Sequence, residues 1–250
     1  MKRFSKEFNI HYYEVDSSQY ATIPSILNYL QDTAISHSAS VGLGISELLS
    51  VRTCWVLSRW SLIIDKYPII NERITIETWP WRMERFYAWR DFLIKNSNGE
   101  VIVKASSQWI YIDIAKRRPI RIPSEYSLTY GLEENIKSIE NPFSELDIPA
   151  ISNDSSVFGV RRSDIDTNNH VNNTKYLEWL LEAIPARIYD NYRLKSLEIV
   201  YKKETMYGGS ICSGYSILSE KNTESELTHA ILDNDSKAEL AIAKTSWQKP

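Results

Sequence analysis

The chain repeats itself once, and a repeat constrains a fold more than any single motif. Shifted by 150 positions, FGVRRSDIDTNNHVNNTKYLEWLLEA (Phe158–Ala183) lies over FNIHYYEVDSSQYATIPSILNYLQDT (Phe8–Thr33) without a gap. Phe158 meets Phe8, Asp166 meets Asp16, Leu177 and Leu180 meet Leu27 and Leu30, and Trp179 meets Tyr29. Further on, at an offset of 138, THAILDNDSKAELAIAKTSW (Thr228–Trp247) lies over RDFLIKNSNGEVIVKASSQW (Arg90–Trp109). Each half then reads as strand, polar turn, helix and several strands. A helix needs a sheet face to bury its apolar stripe, so the expectation is an α+β chain of two tandem units.

Local signals place the elements. Pro24 suits the first turn of a helix carrying Ile26, Leu27, Leu30 and Ala34 on one face. In the second half Asn172 or Asn173 is a good N-cap, Tyr176, Leu177, Leu180, Leu181 and Ile184 form the apolar face, and Pro185 stops the helix. Arg73–Trp79, Ser196–Glu204, Ser210–Leu218 and Glu239–Trp247 read as strands. The boundaries expected are a first unit over 1–123, a Ser-, Glu-, Asn- and Pro-rich linker over 124–156, and a second unit over 157–250.

Composition narrows the function. With 250 residues, 43% apolar and 24% charged, the chain is of ordinary soluble type. A net charge of −3 without a basic face argues against nucleic acid. No apolar run approaches ~18 residues, so no membrane span is expected. The opening MKRFSKEFNIHYYEVD lacks the apolar core of a secretory signal. Two cysteines, Cys54 and Cys212, and no C-x-x-C point to a reducing cytosol without disulfides or structural zinc. No G-x-S-x-G or H-E-x-x-H occurs, which disfavours serine and zinc hydrolases.

The differences between the halves carry the chemistry. The second helix entrance has Asp166, Asn168 and His170 where the first has Asp16, Ser18 and Tyr20. Laying KKETMYGGSICS over DKYPIINERITI sets Glu204 opposite Tyr67. A helix N-terminus offers N–H groups and partial positive charge to a developing oxyanion. An imidazole beside it can donate or carry a proton, and a carboxylate can activate water. Asp166, Asn168, His170 and Glu204 together suit hydrolysis of an activated acyl group, with backbone N–H groups near Val171 and Asn172 holding the oxyanion. Asp164 is read as a partner of Arg161 or Arg162, and His11, His37 and His229 as structural residues.

RRSDIDTNNHVNNTKYLEWLLEAIP followed by EIVYKKE, together with WVLSRWSLIIDKYPIINERITIETWPW, closely resembles the acyl-acyl carrier protein thioesterases of plants and bacteria. The resemblance implies a double hotdog fold, two tandem units each a long helix wrapped by an antiparallel sheet. It implies hydrolysis of a fatty acyl thioester on the phosphopantetheine arm of acyl carrier protein, with no metal or organic cofactor. The family's Asp-x-Asn-x-His and later Glu fall on Asp166, Asn168, His170 and Glu204. Many plant members carry a cysteine after that Glu; Thr205 stands here, which favours attack by water over a covalent cysteine route. Either Glu204 or Asp166 is the base. An acidic carrier would dock on local basic groups, the candidates being Lys116, Arg117, Arg118 and Arg121, and the pair Lys202 and Lys203. A pseudo-dimer of this kind suffices as a monomer, and a homodimer is open. The rival readings are an acyl-CoA thioesterase, a double-hotdog hydratase of acyl thioesters, and a non-catalytic acyl-binding protein.

Overall fold

Thr22 ends an extended stretch, its hydroxyl accepts the Ser25 N–H, and Pro24 occupies the first turn, where a missing N–H costs nothing. Helix α1, Ile23–Ser40, starts there. The computed structural model describes residues 3–147, 155–166 and 170–250. The chain divides into two units, 1–58 with 62–142, and 59–61 with 143–250. The architecture is α+β, a double hotdog.

In the first unit β1 (Phe4–Asn9) precedes α1, and α2 (Ile45–Ser50) follows it. Then come β2 (Thr53–Ile64), β3 (Arg73–Glu84), β4 (Tyr87–Lys95), β5 (Val101–Asp113), a two-residue β6 (Arg118–Pro119) and α3 (Tyr126–Thr129). The strand order is β1-β3-β4-β5-β2, with β6 on β5. Ile26, Leu27 and Leu30 on α1 are fully buried, as are Ile74 and Ile76 on β3, the strand against which α1 packs. Each such side chain withdrawn from water contributes about 1.5–3 kcal/mol.

The second unit repeats the plan. β7 (Ser156–Gly159) leads to α4 (Asn173–Glu182), α5 (Ala186–Tyr189), β8 (Arg193–Tyr201), β9 (Ser210–Glu220), β10 (Glu224–Asp233) and β11 (Glu239–Gln248). The strand order is β7-β9-β10-β11-β8, the same as in the first unit when strands are counted from each unit's own start. α4 buries Tyr176, Leu177, Leu180 and Leu181 and packs on β10 and β9. It has 10 residues against 18 in α1. Pro185, which lacks an N–H and whose ring collides with the preceding turn, stands where α1 has Ile35.

Three expectations change. The strand expected to reach Glu204 ends at Tyr201, so Glu204 lies in the following loop. The stretch expected as a linker from 124 belongs to the first unit as far as Pro142. Tyr126 and Tyr130 join a buried cluster with Leu48, Ala88, Tyr111 and Ile122, and Ser138 hydrogen-bonds the Asp91 carboxylate. Residues 148–154, the centre of that expected linker, lie outside the described residues.

The third change concerns the β10–β11 hairpin. Trp247 donates to Thr245 Oγ1 at 2.8 Å as Trp109 does to Ser107 Oγ at 2.8 Å, so the offset of 138 holds on β11. On β10 it does not. Ala243 pairs with His229, and its counterpart Ala105 pairs with Phe92, an offset of 137. The turn 233–238 is one residue longer than the turn 96–100. A gapless alignment through it puts every β10 side chain on the wrong face.

That register gives His229 the place of Phe92, a fully buried ring. His229 is buried too, shares a 2.8 Å hydrogen bond between Nε2 and Thr245 Oγ1, and is held down to about 3 by burial. The unfolded chain takes up that proton near pH 6.5, so the contribution is whole above that value and is lost as pH falls toward 3. His229→Phe, which copies the first unit, is therefore expected to flatten the loss of stability between pH 6.5 and 4.5 by up to about 1.4 kcal/mol per pH unit. Urea unfolding of both proteins across that range checks it; parallel pH profiles would contradict a buried neutral ring.

Candidate active site

Three main-chain bonds build the entrance to α4. The Asp166 N–H donates to the His170 carbonyl at 2.8 Å, the Asn172 N–H to the Asp164 carbonyl at 2.8 Å, and the Val171 N–H to the Thr205 carbonyl at 3.1 Å. The first unit has the same three: Asp16 to Tyr20 at 2.8 Å, Thr22 to Glu14 at 2.9 Å, and Ala21 to Pro68 at 2.8 Å. The same backbone bond thus ties the loop after β8, and in the first unit the loop after β2, to the helix entrance. If Thr205 answers to Pro68, Glu204 answers to Tyr67, as the aligned sequences place it.

The side chains this joint brings together differ. In the first unit Tyr20 and Tyr67 meet edge to face, with ring centroids 6.1 Å apart. In the second, His170 Nε2 and Glu204 Oε2 are 3.2 Å apart. Both remain reachable, with side chains 30% and 46% exposed. A neutral imidazole with its proton on Nε2 donates to this carboxylate; a protonated ring forms an ion pair with it.

Asp166 completes the cluster in a different way. Its Oδ1 faces the His170 N–H at 3.4 Å, and the homologous Asp16 Oδ1 accepts the N–H groups of Ser18 at 2.8 Å and Tyr20 at 3.1 Å. An aspartate that folds the loop in both units has a structural reason to be there, independent of chemistry. Asn168 lies outside the described residues.

Two expected oxyanion donors are corrected. The N–H groups of Val171 and Asn172 are spent on the carbonyls of Thr205 and Asp164, so neither is open to a substrate. The sequence marks a helix start but not where its amides point. Asn172 is the N-cap instead, its Oδ1 accepting from the Thr174 N–H at 3.0 Å.

One neighbour escaped notice as more than an apolar face residue. The Tyr176 hydroxyl accepts the Thr205 N–H at 3.1 Å and donates to the Lys203 carbonyl at 3.4 Å. Burial pushes its phenol up to about 12; the Thr205 N–H opposes that rise, and the charges of Glu204 and Asp166 add to it. Of the basic groups expected to dock a carrier, Lys116 and Arg117 are exposed on the β5–β6 turn and Arg118 is exposed at the start of β6; Lys116 pairs with Asp113 at 3.5 Å. Lys202 and Lys203 directly precede Glu204, and Lys202 pairs with Glu239 at 2.6 Å. Among the described residues no cluster of three metal-binding side chains occurs, and no helix is long and apolar enough to cross a membrane.

Comparison with known proteins places the whole chain in one family. Residues 1–130 match the family model described as acyl-ACP thioesterase N-terminal domain, and residues 150–249 the corresponding C-terminal domain. A chloroplastic palmitoyl-acyl carrier protein thioesterase of Gossypium hirsutum is 29% identical over 98% of the chain. The chain spans 63% of that relative's length. A chloroplastic oleoyl-acyl carrier protein thioesterase of Arabidopsis thaliana is 30% identical over 98% of the chain and 77% of its own length. In fold, the 12:0-ACP thioesterase from Umbellularia californica superposes with a TM-score of 0.87 at 23% identity, covering 99% of this chain and 97% of that one. An acyl-ACP thioesterase from Bacteroides thetaiotaomicron gives 0.83 at 24%, covering 98% and 97%.

The loop leading into the site is held by Asp164, whose side chain is wholly buried. It accepts the Arg161 N–H at 2.7 Å and two guanidinium N–H groups at 3.3 and 3.2 Å. Asp164→Ala strips the acceptor from that backbone N–H, and the expected cost is about 2 kcal/mol, or roughly 4–8 °C in thermal midpoint. A calorimetric midpoint within 1–2 °C, roughly, of the parent would show the contact to be idle.

Proposed function

Because the chain belongs to the acyl-ACP thioesterase family, we propose that it hydrolyses the thioester between a fatty acyl chain and the phosphopantetheine arm of acyl carrier protein. The observation that carries the reading is the 3.2 Å contact of His170 with Glu204 at the entrance to α4, where the other unit has two tyrosines. In this reading Glu204 takes a proton from water. The water oxygen bonds to the carbonyl carbon, charge develops on the carbonyl oxygen, and the C–S bond then breaks. His170 holds Glu204 in place, and Glu204 then gives the proton it took from water to the departing sulfur. The products are a fatty acid and the carrier thiol. Asp166 shapes the loop that presents His170, which supports Glu204 as the base. The positive end of α4 favours charge on the carbonyl oxygen. Thr205 follows Glu204, so the attack is by water and no acyl-enzyme on that residue is invoked.

Glu204→Gln and His170→Ala are each expected to lower kcat by roughly 10²–10⁴ with the fold intact. Thiol release from acyl carrier protein and coenzyme A thioesters of varied chain length, followed with a disulfide dye, measures it. Near-parental turnover in both variants would sink the assignment; a rate on coenzyme A esters equal to that on carrier esters would make the chain a general acyl thioesterase. Water addition to an enoyl ester without thiol release would make it a hydratase.

For the carrier, Lys116, Arg117, Arg118, Lys202 and Lys203 supply exposed positive charge on a chain of net charge −3. KM for carrier-linked substrate is expected to rise several-fold as ionic strength goes from about 0.05 to 0.5 M, because exposed charge pairs are screened over that range. A KM that does not move with salt would argue against docking on these groups.

A further inference from the structure

Glu204 sits in a loop beyond the end of β8, with its side chain 46% exposed, yet a catalytic base needs a fixed place. The peptide groups on both sides of it are held by one phenol. The Thr205 N–H donates to Tyr176 Oη at 3.1 Å, and Tyr176 Oη–H faces the Lys203 carbonyl at 3.4 Å. Tyr176 is itself fixed. It is buried on α4, packs edge to face on Trp179 at 5.4 Å and on Tyr201 at 5.7 Å, and Tyr201 Oη donates to the Asn173 carbonyl at 3.2 Å.

At the two matching positions the first unit carries no hydroxyl. The helix position equivalent to Tyr176 is Ile26, and Thr205 is replaced by Pro68. The strand-end bonds confirm the frame: Lys202 and Lys203 donate to the Leu240 carbonyl at 2.8 and 3.2 Å, as Asp65 and Lys66 do to Ile102 at 2.9 and 3.1 Å. Tyr201 therefore answers to Ile64. Proline has no N–H to satisfy and a fixed φ, so an isoleucine there meets no unpaired donor. The fold alone asks for neither phenol. Both occur in the unit whose loop carries a carboxylate.

We propose that Tyr176 is a positioning residue for the hydrolytic reaction, its hydroxyl clamping the peptide groups on either side of Glu204 so that the carboxylate stays against His170. The inference rests on the assignment of Glu204 and His170 to the chemistry. Loss of the clamp acts on the step in which water is deprotonated and leaves substrate binding alone. The signature is thus a fall in kcat at constant KM, and it disappears once Glu204 can no longer act.

The test uses the full chain and an acyl carrier protein thioester, with four variants: Tyr176→Phe, Glu204→Gln, the double variant, and Tyr192→Phe. Tyr192 is the comparator: its hydroxyl donates to the Lys221 carbonyl at 3.3 Å and it lies at the opposite end of β8 from Glu204. Tyr176→Phe is expected to lower kcat about 10- to 100-fold with KM within roughly twofold of the parent. Tyr192→Phe is expected to keep kcat while losing comparable thermal stability. In the Glu204→Gln background Tyr176→Phe is expected to have no further effect on kcat. A Tyr176→Phe enzyme with the kcat of Tyr192→Phe, beside an inactive Glu204→Gln, overturns the clamp and leaves the catalytic reading standing. Losses that multiply in the double variant overturn it as well. Near-parental turnover by Glu204→Gln overturns the catalytic reading, and the clamp with it. Should Tyr176→Phe not fold, Thr205→Pro, which removes the N–H that the phenol accepts and copies the first unit, is measured in its place: kcat unchanged there contradicts a clamp acting through the phenol.

Discussion

The site depends on a joint made only of main chain. An amide at the helix entrance donates to a carbonyl in the loop after a strand, Val171 to Thr205 in one unit and Ala21 to Pro68 in the other. Because no side chain takes part, the joint survives any substitution that keeps the backbone path. It sets the neighbouring residues, 170 and 204 or 20 and 67, side by side whatever they are. One copy fills that place with two aromatic rings and the other with an acid and a base. Scaffold and side-chain identity are thus separable here, since one backbone joint supplies proximity to two different pairs of side chains.

The second copy of the fold serves as an internal control. Asp16 and Asp166 occupy equivalent loops and both turn their carboxylates to backbone N–H groups. A group retained where no histidine or glutamate accompanies it has work to do in the loop itself. Glu14 and Asp164 show the same: each accepts the N–H of the residue three before it, at 2.7 Å in both units. What remains after this subtraction is His170, Glu204 and the two phenols behind them. These are the groups the bare fold does not require.

Much of this was legible in the sequence because duplication exposes strand order and helix position together. Pro24 in the first turn of α1, a cap at Asn172 or Asn173, the Pro185 stop and the pairing of Glu204 with Tyr67 all follow from local chemistry plus the repeat. The misses have physical causes. Polar turns tolerate an extra residue without leaving a mark, so the longer turn at 233–238 shifted β10 by one. Free amides at a helix start are a matter of where the chain comes back, which is a tertiary fact, and Val171 and Asn172 proved to be occupied. Tyr176 kept the apolar period of its helix, and periodicity cannot distinguish a phenol that is core from one whose hydroxyl has a task.

The stretch after β6 shows how composition alone misleads about domain boundaries. Its serines, glutamates and asparagines look like linker, but several of its polar groups bond to the first unit. Trp79 Nε1 donates to the Ile136 carbonyl at 2.7 Å, Arg3 Nε to Glu133 at 3.1 Å, and Ser138 Oγ to Asp91 at 2.7 Å. Tyr130 Oη donates to Ser38 Oγ at 3.0 Å and accepts from Trp55 Nε1 at 3.2 Å. Burial raises the Asp91 carboxyl above the ordinary carboxylate range, and the donations from Ser106 and Ser138 oppose that rise. A buried acid facing no donor would be costly, so the strap that brings Ser138 is part of the unit's own polar accounting. A polar segment is a linker only when its hydrogen bonds go to water; here they also go to Arg3, α1, β2, β3 and β4, and the unit extends to Pro142.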